Sequence, residues 1–390
     1  MKVAVVSEFY PRADDPVLGV WAHRQAVAAR DAGADVRVLV LYRPVPPRAA
    51  VGDGWLKRAA AMARQPRHAA LDGLDVRYVP FLSPPRPSSY GSWGAWAAAP
   101  LALALRRLHA RFPYDLVHAH NAVPAADATL RARVGAPLVV SVHGGDVFYT
   151  APHFPAGDRA VRRAFETARL VLANSSGVED DARRYGARDT RVVRLGADVP
   201  HNAPKKRTLP TMVTVGHLVA RKRHADVVRA MWLLRESHPT LRYLVIGDGP
   251  EREPLERLAT DLEVADRVEF AGQLPHEEAL ARAGTGHVFV MPSVDEAFGV
   301  AYVEAMAAGL PAVGARGEPG PEEIAAAGDG LLLVAPGDVE ALASLVDDVF
   351  RDRDYLGDAG ERARATVKAA FTWERCGRAT VAAYQDALRG

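Results

Sequence analysis

Ser293 to Gly309 reads S-V-D-E-A-F-G-V-A-Y-V-E-A-M-A-A-G and follows a short apolar run, Val288-Phe289-Val290-Met291, that stops at Pro292. The run has the length and β-branched content of a buried strand. After a polar bend, Phe298-Gly299-Val300 opens an Ala-, Val- and Met-rich segment halted by Gly309 and Pro311, which predicts a helix with a glycine stop. The unit is therefore strand, loop, helix. In an open parallel sheet the strand's C-terminal edge faces such a helix start, and that edge favours anions. The loop carries Asp295 and Glu296, and the helix carries Glu304, seven residues beyond Glu296. With the helix starting near Gly299, Glu304 lies about 7–8 Å along it. Two carboxylates flanking an anion site suit the hydroxyls of a nucleotide-sugar, because each oxygen accepts from a neutral hydroxyl. Spacing alone also fits two solvated surface glutamates.

The same alternation extends in both directions. Toward the C-terminus, Pro311–Gly314 and Leu331–Val334 read as strands, each followed by a helical stretch. Toward the N-terminus, Met212–Val215, Leu241–Ile246 and Val268–Phe270 do the same. Residues 199–210 hold three prolines and Lys205-Lys206-Arg207, the composition of a linker. Before it, Val3–Val6, Val36–Leu41, Leu116–Ala119, Leu138–Val142, Leu170–Ala173 and Arg191–Leu195 form a second series. Two α/β domains result, and 390 residues suffice for two cores.

Polar residues gather where these strands end. Gly19 lies in the loop after the first strand, where a glycine lets backbone N–H groups approach an anion. His118-Ala119-His120-Asn121 and His143-Gly144-Gly145-Asp146 follow two later strands. The His-x-His pair has the donors for zinc, but no cysteine or further histidine completes a ligand set, so no metal is expected. In the second series, Gly216-His217-Leu218-Val219-Ala220-Arg221-Lys222 bridges a strand and a helix. Arg offers a fork and Lys a compact charge for a diphosphate there. Gly247-Asp248-Gly249-Pro250 lacks the third glycine of a dinucleotide fingerprint.

Glu296, seven residues and Glu304, set in E-A-F-G-V-A-Y-V-E-A-M-A-A-G-L-P-A-V, resembles the signature of the family 4 retaining glycosyltransferases. The resemblance spans nearly the whole chain and is strongest over residues 288–313. It implies the GT-B architecture: two Rossmann-like, doubly wound parallel-sheet domains facing a cleft, here 1–199 for the acceptor and 211–371 for the donor. The linker is then 200–210, and a C-terminal helix, 372–390, returns to the first domain. It implies transfer of a hexose-type sugar from a UDP- or GDP-sugar to a hydroxyl acceptor with retention, metal-free, the nucleotide-sugar being substrate rather than cofactor. By position, His143, Glu296, Lys222 and Arg221 are the catalytic candidates. Gly19, Gly216, His217, Phe298, Gly299, Val300 and Glu304 are the donor-binding candidates, and His120, Asn121 and Asp146 face the acceptor. The family commonly has arginine where this chain has His217. Because His is mostly neutral at pH 7, Arg221 is expected to supply the second charge.

Composition narrows the alternatives. A formal net charge of +2 argues against a nucleic-acid partner. The single cysteine, Cys376, forms no internal disulfide and carries no nucleophile signature. Met1 to Phe9 lacks the pattern of a signal peptide, so a cytoplasmic location is expected. Residues 43–111 are loosely patterned and hold the expected acceptor region. Trp55-Leu56-Lys57-Arg58, Arg64, Arg67 and the segment from Ser88 to Trp96 stand out in it. Trp93 to Leu105 is too short to span a bilayer. It reads as a core helix or as an interfacial surface peripheral to the inner face of the membrane. Rival readings are a two-carboxylate hydrolase, which the basic turn at Arg221-Lys222 opposes, a sugar-nucleotide epimerase on the same fold, and a non-catalytic sugar-nucleotide sensor.

Overall fold

The computed structural model describes residues 1–45, 60, 62, 64–202 and 204–389. Trp55 to Arg58 therefore lie outside the described residues. The chain divides into two compact units, Met1–Leu195 with Trp373–Gly390, and Gly196–Thr372.

The first unit is built on an eight-stranded sheet of order β3-β4-β2-β1-β5-β6-β7-β8. Its central strands are β1 (Lys2–Ser7), β2 (Asp35–Tyr42), β5 (Leu116–His120), β6 (Leu138–Val142) and β7 (Leu170–Ala173). They pair in parallel, and β1, β5, β6 and β7 are almost wholly buried, as expected of strands covered on both faces. β8 (Thr190–Val192) closes one side. On the other side β3 (His68–Leu71) and β4 (Leu74–Pro80) form the sheet's antiparallel pair around Asp72-Gly73. The sequence reading treated that stretch as loosely patterned. β3 is short with no buried residue, and in β4 the buried Leu74, Val76 and Tyr78 alternate with exposed Asp75 and half-buried Arg77, so neither strand shows a continuous apolar run. The closing helix Trp373–Arg389 packs on the helix Val20–Asp31. A Cβ on Gly377 would overlap the Ala28 carbonyl, and Gln25 donates to Thr380 Oγ1 at 3.2 Å.

Trp93–His109 forms a helix that buries Trp93, Ala97, Leu101, Ala104, Leu105 and Leu108. It is therefore a core helix with a second face. Trp96, Leu103 and Arg107 fall on one exposed stripe, since seven residues bring an α-helix back to within about 20°. Among the described residues no helix is long and apolar enough to cross a membrane.

The second unit has six parallel strands of order β11-β10-β9-β12-β13-β14. They are β9 (Thr211–Val215), β10 (Arg242–Ile246), β11 (Val268–Gly272), β12 (Val288–Val290), β13 (Ala312–Ala315) and β14 (Leu331–Val334). This is the doubly wound order, reversing between β9 and β12. In the first unit the same reversal falls between β1 and β5. Ligands of such sheets bind beyond the strand C-termini at the reversal. Every candidate site loop follows a strand at or next to one of these two points.

Candidate active site

In the second unit, β9 runs into a short turn, Ala220–Lys222, before the helix His224–Leu233. β12 runs into the loop that starts the helix Val300–Ala307. The two loops are tied by backbone, Val294 N–H donating to the Arg221 carbonyl at 2.9 Å. Their side chains then meet. Lys222 Nζ lies 2.5 Å from Glu296 Oε2, and Arg221 Nη1 lies 3.8 Å from the same oxygen. Ser293 Oγ donates to Glu296 Oε2 at 2.8 Å. Burial alone would raise the Glu296 pKa, but Lys222, Arg221 and the bonds from Lys222 and Ser293 together hold it below the ordinary glutamate value. Burial draws the Lys222 pKa down while Glu296 opposes it. The contact has the geometry of an ion pair. Arg221 is 45% exposed; its Nη1 donates to the Asp295 carbonyl at 3.4 Å, and the rest of its fork has donors for an anion.

The Glu296 peptide is gripped from its other side. Its N–H donates to Glu318 Oε2 at 2.9 Å, and its carbonyl accepts from Gly320 N–H at 2.9 Å. A Cβ on Gly320 would overlap the Phe298 backbone, so this close approach requires glycine. Gly299 caps the helix Val300–Ala307 at φ 81° and ψ 66°, the left-handed region. Phe298 is buried against Phe371, with ring centroids 5.8 Å apart. The first N–H groups of that helix lack intrahelical acceptors and form a partial positive charge. Tyr302 anchors the turn by donating to the Met291 carbonyl, with Ser293 Oγ at 3.1 Å.

Glu304 is one turn further along, nearly buried, with His276 Nε2 at 3.2 Å from its Oε1. Gly216 precedes the basic turn, and a Cβ there would touch Lys222 Cε. His217 is exposed. Ser293, Tyr302, Glu318 and His276 were not singled out from the sequence. Each acts on Glu296, Glu304 or their turn from a position that periodicity does not mark. The one available hint was the glycine-rich Gly317–Ile324 turn.

In the first unit, β5 and β6 deliver the histidines. His118 is buried between Tyr384 OH and Ser141 Oγ, both at 2.7 Å, which makes it a packing residue. His120 Nδ1 meets His143 Nε2 at 2.9 Å, with the two ring planes nearly parallel. One ring therefore donates and the other accepts, and both are neutral. His120 Nε2 and His143 Nδ1 are buried and find no partner among the described residues. His143 as a residue is only partly buried, but its Nδ1 is enclosed, and burial pushes its pKa down to about 3. His120 is driven well below its ordinary value by burial first and then by the two neighbouring histidines. Asp146 accepts from the Ala122 and Val123 N–H groups at 2.8 and 3.2 Å, and burial raises its pKa to about 7. Asn121 precedes them at φ 72°, its N–H held by the Ser141 carbonyl at 2.8 Å.

Gly19 caps the helix Val20–Asp31 at φ 64°, and a Cβ on it would overlap the Phe9 backbone. The loop that contains both is pinned by Tyr10 OH to His23 Nδ1 at 2.7 Å and by His23 Nε2 to Asp72 at 2.8 Å. Among the described residues no group of three or more His, Cys, Asp or Glu side chains is arranged to hold a metal ion.

Residues 18–200 match the family described as Glycosyltransferase Family 4, and residues 199–366 match Glycosyl transferases group 1. A GDP-mannose-dependent alpha-(1-6)-phosphatidylinositol monomannoside mannosyltransferase of Mycobacterium tuberculosis is 30% identical over 73% of this chain and 78% of its own length. A glycogen synthase of the same species is 27% identical over 100% of this chain and 96% of its own. Among solved structures, sucrose-phosphate synthase from Thermosynechococcus elongatus superposes with a TM-score of 0.80 at 21% identity, over 99% of this chain and 98% of that one. Anabaena HepE, in complex with UDP and glucose, gives 0.72 at 19% identity over 99% of each chain. The fold is thus that of the GT-B glycosyltransferases, and the chain belongs to glycosyltransferase family 4.

Proposed function

We propose that this chain transfers a hexose from a UDP- or GDP-sugar to a hydroxyl acceptor, with retention and without a metal. The observation that carries the reading is the ionic Lys222–Glu296 pair, with Arg221 beside it, at the start of the helix capped by Gly299. As the bond from the sugar's anomeric carbon to the diphosphate breaks, negative charge grows on the leaving oxygen. Lys222, Arg221 and the helix-start N–H groups stabilise that growing charge, the kind of binding that lowers a barrier. Glu296 and His143 hold sugar hydroxyls, Glu304 holds the ribose, and the loop of Gly19 offers backbone N–H to the diphosphate. The acceptor hydroxyl attacks on the face the diphosphate leaves, and its proton passes to the departing phosphate oxygen. His120, Asn121 and Asp146 belong to the acceptor side.

The names of the relatives support a nucleotide-sugar donor, one being GDP-mannose-dependent, and HepE was solved with UDP-glucose. We place the activity in the cytoplasm in glycolipid, envelope polysaccharide or small-molecule glycoside synthesis. The exposed stripe of Trp96, Leu103 and Arg107 supports contact with a membrane surface. The test is slow donor hydrolysis without acceptor, in the presence of EDTA, followed by proton NMR. Release of nucleotide together with the donor's own anomer supports the reading. The opposite anomer, or a requirement for divalent metal, contradicts it.

A further inference from the structure

We propose that Arg86 and Glu8 form a recognition site for an acceptor bearing a phosphate or carboxylate beside its hydroxyls. This rests on the transferase reading and adds the chemical class of its second substrate. Arg86 opens the short helix Arg86–Ser89, inside the loosely patterned stretch, and is flanked by Pro85 and Pro87. Its guanidinium carbon stacks 4.0 Å from the centroid of Tyr90 and lies 5.3 Å from that of Phe9 and 5.9 Å from that of Trp93. Three aromatic faces fix the planar group and leave its edge open, and the side chain is 41% exposed. The nearest carboxylate oxygen, Glu8 Oε1, is 3.9 Å from Nη1. That is too long for a hydrogen bond, and none is made by this guanidinium among the described residues.

The two groups form a long ion pair, and Glu8 finds its short hydrogen bond elsewhere. Its other oxygen, Oε2, accepts from Tyr90 OH at 2.7 Å, leaving Oε1 for a further donor. The arrangement therefore presents a held fork of N–H donors beside one carboxylate oxygen. An anionic oxygen pair fits the fork, and a neighbouring hydroxyl fits Glu8.

Its position agrees with an acceptor. Glu8 follows β1, and His143 follows β6, at the ligand edge of the same sheet. Phe9 and Trp21 connect the two, with ring centroids 6.2 Å apart and Trp21 another 6.2 Å from His143. Tyr90 also reaches the Val123 carbonyl at 3.2 Å, next to the N–H groups that hold Asp146. The patch is continuous with His143 and Asp146 within the first unit.

The test is binding by saturation-transfer NMR with glucose 6-phosphate, glucuronate and glucose as probes, on the full chain saturated with UDP or GDP. The expected result is at least about tenfold tighter binding of the two anions than of glucose, a difference of about 1.4 kcal/mol. Arg86→Gln abolishes the preference, and Arg86→Lys keeps part of it, because a point charge replaces a fork. Glu8→Gln weakens all three probes and keeps the anion preference. Vesicles of phosphatidylcholine with and without phosphatidylinositol separate the sources: Arg86-dependent binding to the inositol lipid alone assigns the anion to a lipid headgroup. Equal binding of glucose and its anions, or a preference that survives Arg86→Gln, overturns the proposal. Nucleotide affinity is measured separately in each variant. Its absence in the wild type would count against the transferase reading and not against this site alone.

Discussion

Replacing Lys222 by alanine removes the cation 2.5 Å from Glu296 Oε2, in a pair whose side chains are 11% and 10% exposed. The carboxylate would keep Ser293 Oγ at 2.8 Å and Arg221 at 3.8 Å. Removing one partner of a buried pair costs about 3–5 kcal/mol. The surviving contacts place the expectation at the lower end, about 3 kcal/mol, or about 6–12 °C in Tm for a unit of this size. The pH dependence has a defined sign. The Glu296 pKa is depressed in the fold, so its contribution is present above the unfolded value of about 4.3 and is lost as pH falls through the folded one. In Lys222→Ala the carboxylate protonates more readily, so the loss is greatest near neutrality and shrinks toward pH 5. Thermal melts by circular dichroism from pH 5 to 8, on the wild type, Lys222→Ala, Glu296→Gln and the double variant, read this directly. The double variant should lose less than the sum of the single losses. Additive losses, or a Lys222→Ala shift under about 2 °C at pH 7, would refute the buried ionic pair.

Gly299→Ala forces a side chain into the left-handed region, which costs about 1–2 kcal/mol, and drives a Cβ into the Tyr302 ring. A loss above about 2 kcal/mol in urea melts, with weakened nucleotide binding, is expected. An unchanged midpoint contradicts the capping account. Burial pushes His118 and His143 to about 3 and His120 also downward, so the unfolded chain binds protons that the fold does not. Stability should fall as pH drops below about 6.5, by up to about 1.4 kcal/mol per pH unit for each histidine. His120→Asn should make that acid limb shallower, and an unaltered slope counts against it. Glu304→Gln should weaken nucleotide binding about tenfold by calorimetry while Tm moves little, because the His276 beside it is 35% exposed. A large Tm loss at full affinity would make Glu304 structural.

Legibility followed apolar contrast. Val288–Met291 and Phe298–Gly309 announced a strand and a glycine-stopped helix, and the structure has Val288–Val290 and Val300–Ala307 there. Glu296, Lys222 and Arg221 were singled out by residue type at strand ends together with the family resemblance, and the structure brings these three together in one cluster. What escaped were side chains whose role depends on distant partners. Glu8 gains its meaning from Tyr90, eighty-two positions away, and Glu318 from the Glu296 peptide, twenty-two positions away. The hairpin of β3 and β4 escaped because exposed or half-buried residues interrupt the apolar ones in both strands. His118 illustrates the opposite error of emphasis: it shares a motif with His120, yet its two nitrogens are fully occupied by Tyr384 and Ser141.

The most direct test of the central claim is calorimetric titration of the full chain with UDP and GDP in the presence of EDTA, repeated on Lys222→Ala and Glu304→Ala. The account predicts that one nucleotide binds the wild type without metal and that each substitution weakens it at least about tenfold. Absence of binding by both nucleotides, or binding indifferent to both substitutions, would contradict the account.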